Sequence, residues 1–428
     1  MFEIASRGSS VRAEVVGGIT TFVSMAYIIV VNPAILAFAG IPQKPGTVAT
    51  ILTAAFGTLL MGLYANRPIA VAPYMGENAF LAFGLAAFGI TWQQRLGAVF
   101  VSGIIFLIIT MLGVRAWLAD AVSPSMKHSF AAGIGLFLTF IGLFEAGIVK
   151  GAQAVPVQLG DIRSTTVLLA IFGFVLIAAL AYRRVPGAIL IGIAVTAIAG
   201  ILLGAGEAPK RVMAIPFTGE YSLAPIAFQL DVVSILRLSF LPILLTLFLM
   251  SLLDTLGTLV GLDAMTGGKG DLKRPMVVDA IACVFSGLVG TSTSGAYIES
   301  STGIREGART GLASVVTAAL FALSLLFIPL FEPMQSLQYA YAPALLIVGM
   351  LMLGAVAKID FDDLTELVPA FTTVVVMVFT FNIANGLTAG LVLYPVMKVL
   401  SGRWRELRGG TIVLGVLCLL YYAFGIPH

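Results

Sequence analysis

Charge is scarce in this chain. Only 11% of its 428 residues are Asp, Glu, Lys or Arg, against about 25% in ordinary soluble domains, while 59% are hydrophobic. Long apolar runs recur from residue 15 to residue 425, and no soluble fold has use for so many nearly uncharged runs of roughly 20 residues. The composition is that of a polytopic helical membrane protein. Both cysteines, Cys283 and Cys418, fall in apolar segments, which leaves no disulfide framework and no His/Cys metal spacing. A nucleophile elbow is also missing. Gly267-Gly268-Lys269 begins like a phosphate-cradling loop, but Gly270 stands where Ser or Thr is needed and the upstream glycine is absent. No enzyme, metal or other cofactor is expected, and a net charge of +3 gives no reason to expect nucleic acid. Met1 to Arg12 is short and polar, and the apolar run after it exceeds signal-peptide length, so no cleavable leader is expected.

What is present is a series of spans. They are expected near 15–38, 47–66, 69–89, 96–118, 128–148, 164–182 and 186–204, then near 234–261, 274–290, 291–305, 310–331, 338–357, 365–382 and 385–400. The stretch 411–425 is slightly short to cross and is left open between interface and span. With the N-terminus in the cytoplasm, 17 of the 24 lysines and arginines fall inside, among them Arg7, Arg12, Arg183, Arg184, Arg305 and Lys358. That bias obeys the positive-inside rule. Seven spans in residues 1–205, a polar connection over 206–232 and seven more in 233–428 read as an internal repeat, and an odd number per copy makes the second copy inverted. The fold class expected is therefore an all-α membrane protein of about 14 segments in 7+7 inverted repeats. Tyr74-Met-Gly-Glu-Asn78 against Tyr297-Ile-Glu-Ser300 is the best match between halves.

Those two stretches lie in segments that a bilayer should not tolerate. Gly290 to Gly303 is polar, rich in Gly, Ser and Thr, and carries Glu299; Ala72 to Phe80 is likewise interrupted and acidic. Backbone broken at membrane depth has to line a cavity within the protein, and paired breaks in two halves point to a transporter's binding site. Pro73 removes a donor and disfavours helix at Ala72. Extended chain is expected there and at Thr291-Ser-Thr-Ser-Gly295, with helix resuming from Gly76 or Asn78, Asn78 serving as N-cap, and again around Ser300. Two half-helix N-termini would then face one cavity with free N–H groups and positive dipole ends, which suits a flat ligand with acceptor atoms on several edges.

Carboxylates supply the rest of the chemistry. Asp254 sits in the middle of the eighth span, where an ionised carboxylate must pair, bind a cation or take up a proton. Glu299 can accept two N–H bonds from a heterocycle, and its proton uptake can couple binding to a proton gradient. Glu77 stands between a ligand role and simple complementation of the helix dipole. Asp263, Asp279 and Glu306 lie near cytoplasmic span ends, within expected reach of Lys269, Arg274, Arg305 or Arg309. Asp362-Asp363 reads as charge at a helix start, and His128 as an interfacial residue.

The chain resembles the AzgA-like purine permeases, among the nucleobase–cation symporters that share the uracil-permease fold. The resemblance is carried by Thr20-Thr-Phe-Val-Ser-Met-Ala-Tyr-Ile-Ile-Val-Val-Asn-Pro33, Leu60-Met-Gly-Leu-Tyr-Ala-Asn-Arg-Pro-Ile-Ala70, Met75-Gly-Glu-Asn-Ala-Phe80 and Asp254-Thr-Leu-Gly-Thr-Leu-Val-Gly261. It continues in Gly290-Thr-Ser-Thr293, Tyr297-Ile-Glu-Ser300, Glu306-Gly-Ala-Arg-Thr-Gly311 and Ala342-Pro-Ala-Leu-Leu-Ile-Val-Gly349. It implies a core and a gate domain and proton-coupled uptake of adenine, guanine or hypoxanthine across the cytoplasmic membrane. Sodium coupling stays open, and so does a uracil, xanthine or small-anion substrate on the same fold. The partners expected are a purine base and the lipid bilayer, and whether a second copy forms a homodimer is left open. By the same resemblance Glu299 would hold the base through its N–H edge, Asp254 would bind or titrate beside it, and Asn78 would fix the third segment's cap or touch the ring. The chain departs from the pattern at Tyr74, where Gly is usual, at Glu77, where an apolar residue is usual, and at Ser251, often acidic. Tyr74 could stack on a base or narrow the pocket, with Tyr297 its counterpart.

Overall fold

The computed structural model describes residues 2–153, 155–266 and 272–424. Lys269 and the Gly267–Gly270 loop lie outside the described residues. Among those described, nine helical stretches are long and apolar enough to cross a membrane, and three shorter apolar helices accompany them.

The first half runs α1 (Val11–Met25), α2 (Ile28–Phe38), α3 (Gln43–Leu60), strand β1 (Val71–Pro73), α4 (Met75–Ala79), α5 (Trp92–Met111), α6 (Val114–Ala121) and α7 (Pro124–Glu145). A hairpin, β2 (Val149–Gly151) with β3 (Val157–Leu159), then leads to α8 (Thr165–Tyr182) and α9 (Ala188–Leu202). The second half runs α10 (Val232–Ile235), α11 (Leu241–Met265), α12 (Lys273–Val289), β4 (Ser294–Ala296), α13 (Ser300–Arg305), α14 (Gly311–Ser324) and α15 (Ile328–Ser336). It closes with α16 (Gln338–Leu353), α17 (Leu364–Phe379), α18 (Ile383–Leu400) and α19 (Gly409–Phe424).

Several expected boundaries move. The fourth span stops at Met111, not near 118, because Gly113 takes a left-handed conformation (φ 72°), which glycine adopts without steric cost; α6 follows as a separate helix. The eighth begins at Leu241, after the short α10 and a Leu238–Phe240 turn. The tenth is helical only over α13. The β2–β3 hairpin, the break of the first span at Ala26–Tyr27 and the division of the eleventh into α14 and α15 were not foreseen.

The helices gather into two packed groups. One joins α1–α5 with α11–α14 and both β1 and β4; the other joins α7–α9 with α16–α18. In the first group the half-helix α13 lies directly on α1. A Cβ placed at Gly303 would come within 2.2 Å of the Gly17 carbonyl oxygen and of the Thr21 hydroxyl, so only glycine permits this approach.

The start of α14 is held from the far end of the sequence. Glu14, fully buried in α1, accepts hydrogen bonds from the backbone N–H groups of Arg309 (2.9 Å), Thr310 (3.1 Å) and Ala313 (3.3 Å). Asn66, at φ 50°, accepts from Gly311 (2.8 Å). These are the donors that a helix start leaves without partners, and a carboxylate answers both them and the positive dipole end. Glu14→Ala strips three N–H groups of their acceptor. Each buried orphan costs about 1–3 kcal/mol, so the thermal unfolding midpoint in detergent is expected to fall by several degrees; an unchanged midpoint would show that Glu14 is dispensable.

The ion pairs are also longer-range than expected. Asp263 pairs at 3.0 Å with Arg67, which was not among its expected partners. Arg274 lies over the Tyr64 ring, and the Arg309 guanidinium donates to the carbonyls of Ile304 and Ala308. Asp363 does cap α17, accepting from Thr365 N–H at 2.9 Å.

Candidate functional site

Two short strands cross at the centre of the first helix group. β1 pairs antiparallel with β4, with Val71 opposite Ala296, Ala72 opposite Gly295 and Pro73 opposite Ser294. Pro73 lacks an N–H, and the ladder resumes on either side of it: Tyr74 N–H donates to Thr293 and Tyr297 N–H to Ala70, both at 2.9 Å. The outer edge is closed by side chains, Thr58 bonding both the N–H and the carbonyl of Val71 and Ser300 accepting from Ala70 N–H. Backbone at this depth thus finds partners without helix, as a bilayer interior demands.

Each strand leads into a half-helix. α13 begins at Ser300, as the sequence suggests. α4 begins earlier than expected, at Met75, with Tyr74 as its cap residue and no side-chain cap. The reading of Asn78 as N-cap is therefore corrected. Tyr74 already has its N–H bound to β4, so helix can start immediately after it. Asn78 lies inside α4 and donates to Asn32 of α2 at 2.9 Å; Asn32 in turn donates to Thr50 (2.8 Å) and Thr291 (2.9 Å). This buried chain of amides and hydroxyls ties α2, α3, α4 and the start of the β4 segment together.

A cavity of about 960 Å³ opens beside the crossing, at the upper end of the ~300–1,000 Å³ usual for small-molecule sites. Tyr74, Asp254, Tyr297 and Glu299 line it, four of the six residues singled out from sequence; Glu77 and Asn78 do not. The Tyr74 and Tyr297 rings lie parallel within 10°, with centroids 6.3 Å apart. Tyr297 O–H donates to the Pro73 carbonyl. Tyr74 O–H reaches past β4 to Thr255 (3.1 Å) and Asp279 (3.5 Å). It passes where Gly295 has no side chain: a Cβ there would meet the phenol oxygen at 2.1 Å.

The residue that sequence reading overlooked is Tyr27. It sits at the break between α1 and α2, lines the cavity, and donates its O–H to Glu299 Oε1 at 2.7 Å. One Glu299 oxygen is thereby occupied by a hydrogen bond. A tyrosine in mid-span, five residues before the Asn32-Pro33 pair, was the available signal. Behind the cavity wall the fully buried Glu77 carboxyl faces Asp254 and Ser251, and neither of its oxygens is engaged in a hydrogen bond. Basic residues stand only at the mouth among the described lining residues: Arg184, Arg305 and Lys358. The free N–H groups expected at the start of α13 are not found: Ser300, Ser301 and Thr302 donate to the carbonyls of Tyr297, Ile298 and Glu299 in a tight turn. Parallel rings and a half-engaged carboxylate together suit a flat, uncharged, polar-edged molecule.

Comparison with known proteins gives this arrangement its family. The profile of the permease family matches residues 12–388. The chain belongs to that family. The permease is a transporter and not an enzyme. It is 39% identical to the adenine permease AdeP of Escherichia coli strain K12 over 435 residues, spanning 100% of this chain and 96% of that one. It is likewise 39% identical to the guanine/hypoxanthine permease PbuG of Bacillus subtilis strain 168 over 441 residues, 99% of each. Among solved structures, the transmembrane domain of the cyanobacterial bicarbonate transporter BicA superposes with a TM-score of 0.66 at 17% identity, over 87% of the permease and 97% of that chain. The transmembrane architecture is thus one that carriers of other substrates share.

Proposed function

We propose that the permease takes up purine nucleobases of the adenine, guanine and hypoxanthine class as a secondary-active carrier coupled to protons. The observation that carries this reading is Glu299: a cavity-facing carboxylate, held by Tyr27 on one oxygen, beside two parallel tyrosine rings at the crossing of two strands. A carboxylate receives the N–H edge of a base, and the rings cover its faces. The names of AdeP and PbuG support the same substrate class. An acidic lining opposes a small anion.

The architecture proposed with it is fourteen segments in two inverted repeats. The antiparallel register supports the repeat, since Tyr74 and Tyr297 follow their strands at equivalent positions about the Ala72–Gly295 pair. On this reading the group with β1 and β4 is the core, the group with α7 and α16 is the gate, and substrate moves as one shifts rigidly against the other. The N-terminus is proposed to be cytoplasmic, in the inner membrane. Arg184, Arg305 and Lys358, all counted inside by charge, rim the cavity, so the conformation is open inward. Asp254, which also faces the cavity, is the proposed proton carrier, since no basic residue pairs with it among the described residues.

Uptake of radiolabelled adenine and hypoxanthine, competed by a panel of unlabelled bases with and without an uncoupler, tests the proposal. Purines are expected to compete and uracil not to, with accumulation lost on uncoupling. Absence of purine competition would refute the substrate class, and sodium-dependent uptake that ignores the uncoupler would refute proton coupling.

A further inference from the structure

Glu77 does nothing in the reading above, and its situation requires an explanation. Its carboxyl is completely buried, both oxygens lack a hydrogen bond, and it lies against Asp254 and the Ser251 hydroxyl of α11. α4 packs on α2, α7, α11 and the Phe80–Gly84 turn. α7 meets it through Ile134 at Gly76, while α2 and the turn carry no charged residue. The titratable groups that face the carboxyl are Asp254, Tyr74 and Tyr297, with Asp279 beyond Tyr74. None of these is basic. Among the described residues no group of three or more His, Cys, Asp and Glu gathers that could hold a metal ion.

Two carboxylates in contact in a water-poor site cannot both ionise, because neither the Coulomb repulsion nor the lost hydration is offset. A proton between them removes the repulsion, leaves a single charge shared over the pair and supplies the missing hydrogen bond. We infer that Glu77 and Asp254 form one proton-holding pair, that this pair is the coupling site, and that Glu299 is left to the substrate. The pair alternates between one proton, with net charge −1, and two protons, with none. Asp254 is the member exposed to the cavity and exchanges the second proton with whichever side the cavity faces, while Glu77 keeps the first and donates it to Asp254. Ser251, one turn before Asp254 on the same helix face, is a position from which a carboxyl would reach the same spot.

The inference rests on the purine-uptake reading for its driving substrate. Full-length protein is reconstituted in sodium-free liposomes containing a pH-sensitive dye, and adenine or hypoxanthine is added outside. Counterflow of the same base is measured in parallel. Wild type is expected to acidify the lumen as the base enters. Glu77→Gln and Asp254→Asn are expected to lose that acidification, with counterflow still measurable in Glu77→Gln. Glu77→Leu is expected to lose acidification and Glu77→Leu/Ser251→Glu to regain it. Wild-type acidification in Glu77→Gln would overturn the pair, as would base entry that needs sodium and moves no proton. Should Glu77→Gln lose counterflow too, the double variant decides: counterflow there without acidification overturns the pair. Absence of counterflow in wild type would instead sink the purine reading itself.

Discussion

Glu299→Gln is expected to reduce purine uptake by at least about a hundredfold while leaving the protein folded and in the membrane. Tyr27 O–H occupies one Glu299 oxygen at 2.7 Å. In the variant the amide oxygen has to turn toward Tyr27 to keep that bond, and the amide nitrogen then faces the cavity. A base approaching with its N–H edge meets a donor where it needs an acceptor. A hydrogen bond to a charged group contributes about 1.5–3 kcal/mol, and its loss together with two donors left facing each other corresponds to about a hundredfold or more in affinity. Uptake kinetics with a surface-expression control measure this. Wild-type uptake would remove Glu299 from the site, and loss of expression would assign it to folding.

Gly295→Ala is the second large effect. The new methyl would sit 2.1 Å from the Tyr74 hydroxyl oxygen and 2.4 Å from the ring carbon that bears it. The ring is buried and bonded to Thr255 and Asp279, so it cannot swing aside without giving up both contacts. Overpacking of this kind costs about 1–3 kcal/mol, and here it also displaces one wall of the cavity. Uptake is expected to fall steeply and the unfolding midpoint with it. Tyr74→Ala makes the room back: the double variant Tyr74→Ala/Gly295→Ala is expected to be more stable than Gly295→Ala alone, with strong non-additivity between the two changes. Additive effects would show that the two residues do not share that space. The pairing also gives Tyr74 a physical setting, since a tyrosine after β1 is accommodated only while position 295 of the partner strand has no side chain.

What could be read from the sequence follows the range of the interactions involved. The spans came from hydropathy, and the two breaks came from Pro73 and from the Gly/Ser/Thr run before Glu299; all of these are local signals. The half-helix at Ser300 was legible for the same reason. The start of α4 was not, because it depends on a hydrogen bond from Tyr74 to Thr293, a residue more than two hundred positions away. Asn78 has the side chain of an N-cap, but that bond had already set the helix start. Tyr27 and Glu14 escaped notice on similar grounds. A single tyrosine in an apolar run has no periodic signature, and its partner Glu299 is 272 residues distant; Glu14 answers a helix start about 300 residues later. Arg67, far away in the sequence, reaches Asp263 from the approach to β1, and no local pattern names that partner. The polar partners of Tyr27, Glu14 and Asp263 come from the opposite half of the chain, and local patterns do not name them.

The measurement that bears most directly on the site is equilibrium binding of radiolabelled adenine and hypoxanthine to the purified permease, wild type beside Glu299→Gln. Saturable binding to wild type, displaced by purines but not by uracil and absent from a folded Glu299→Gln protein, is the expected result. Equal purine binding by the two proteins would contradict the assignment of the cavity carboxylate as the group that holds the base.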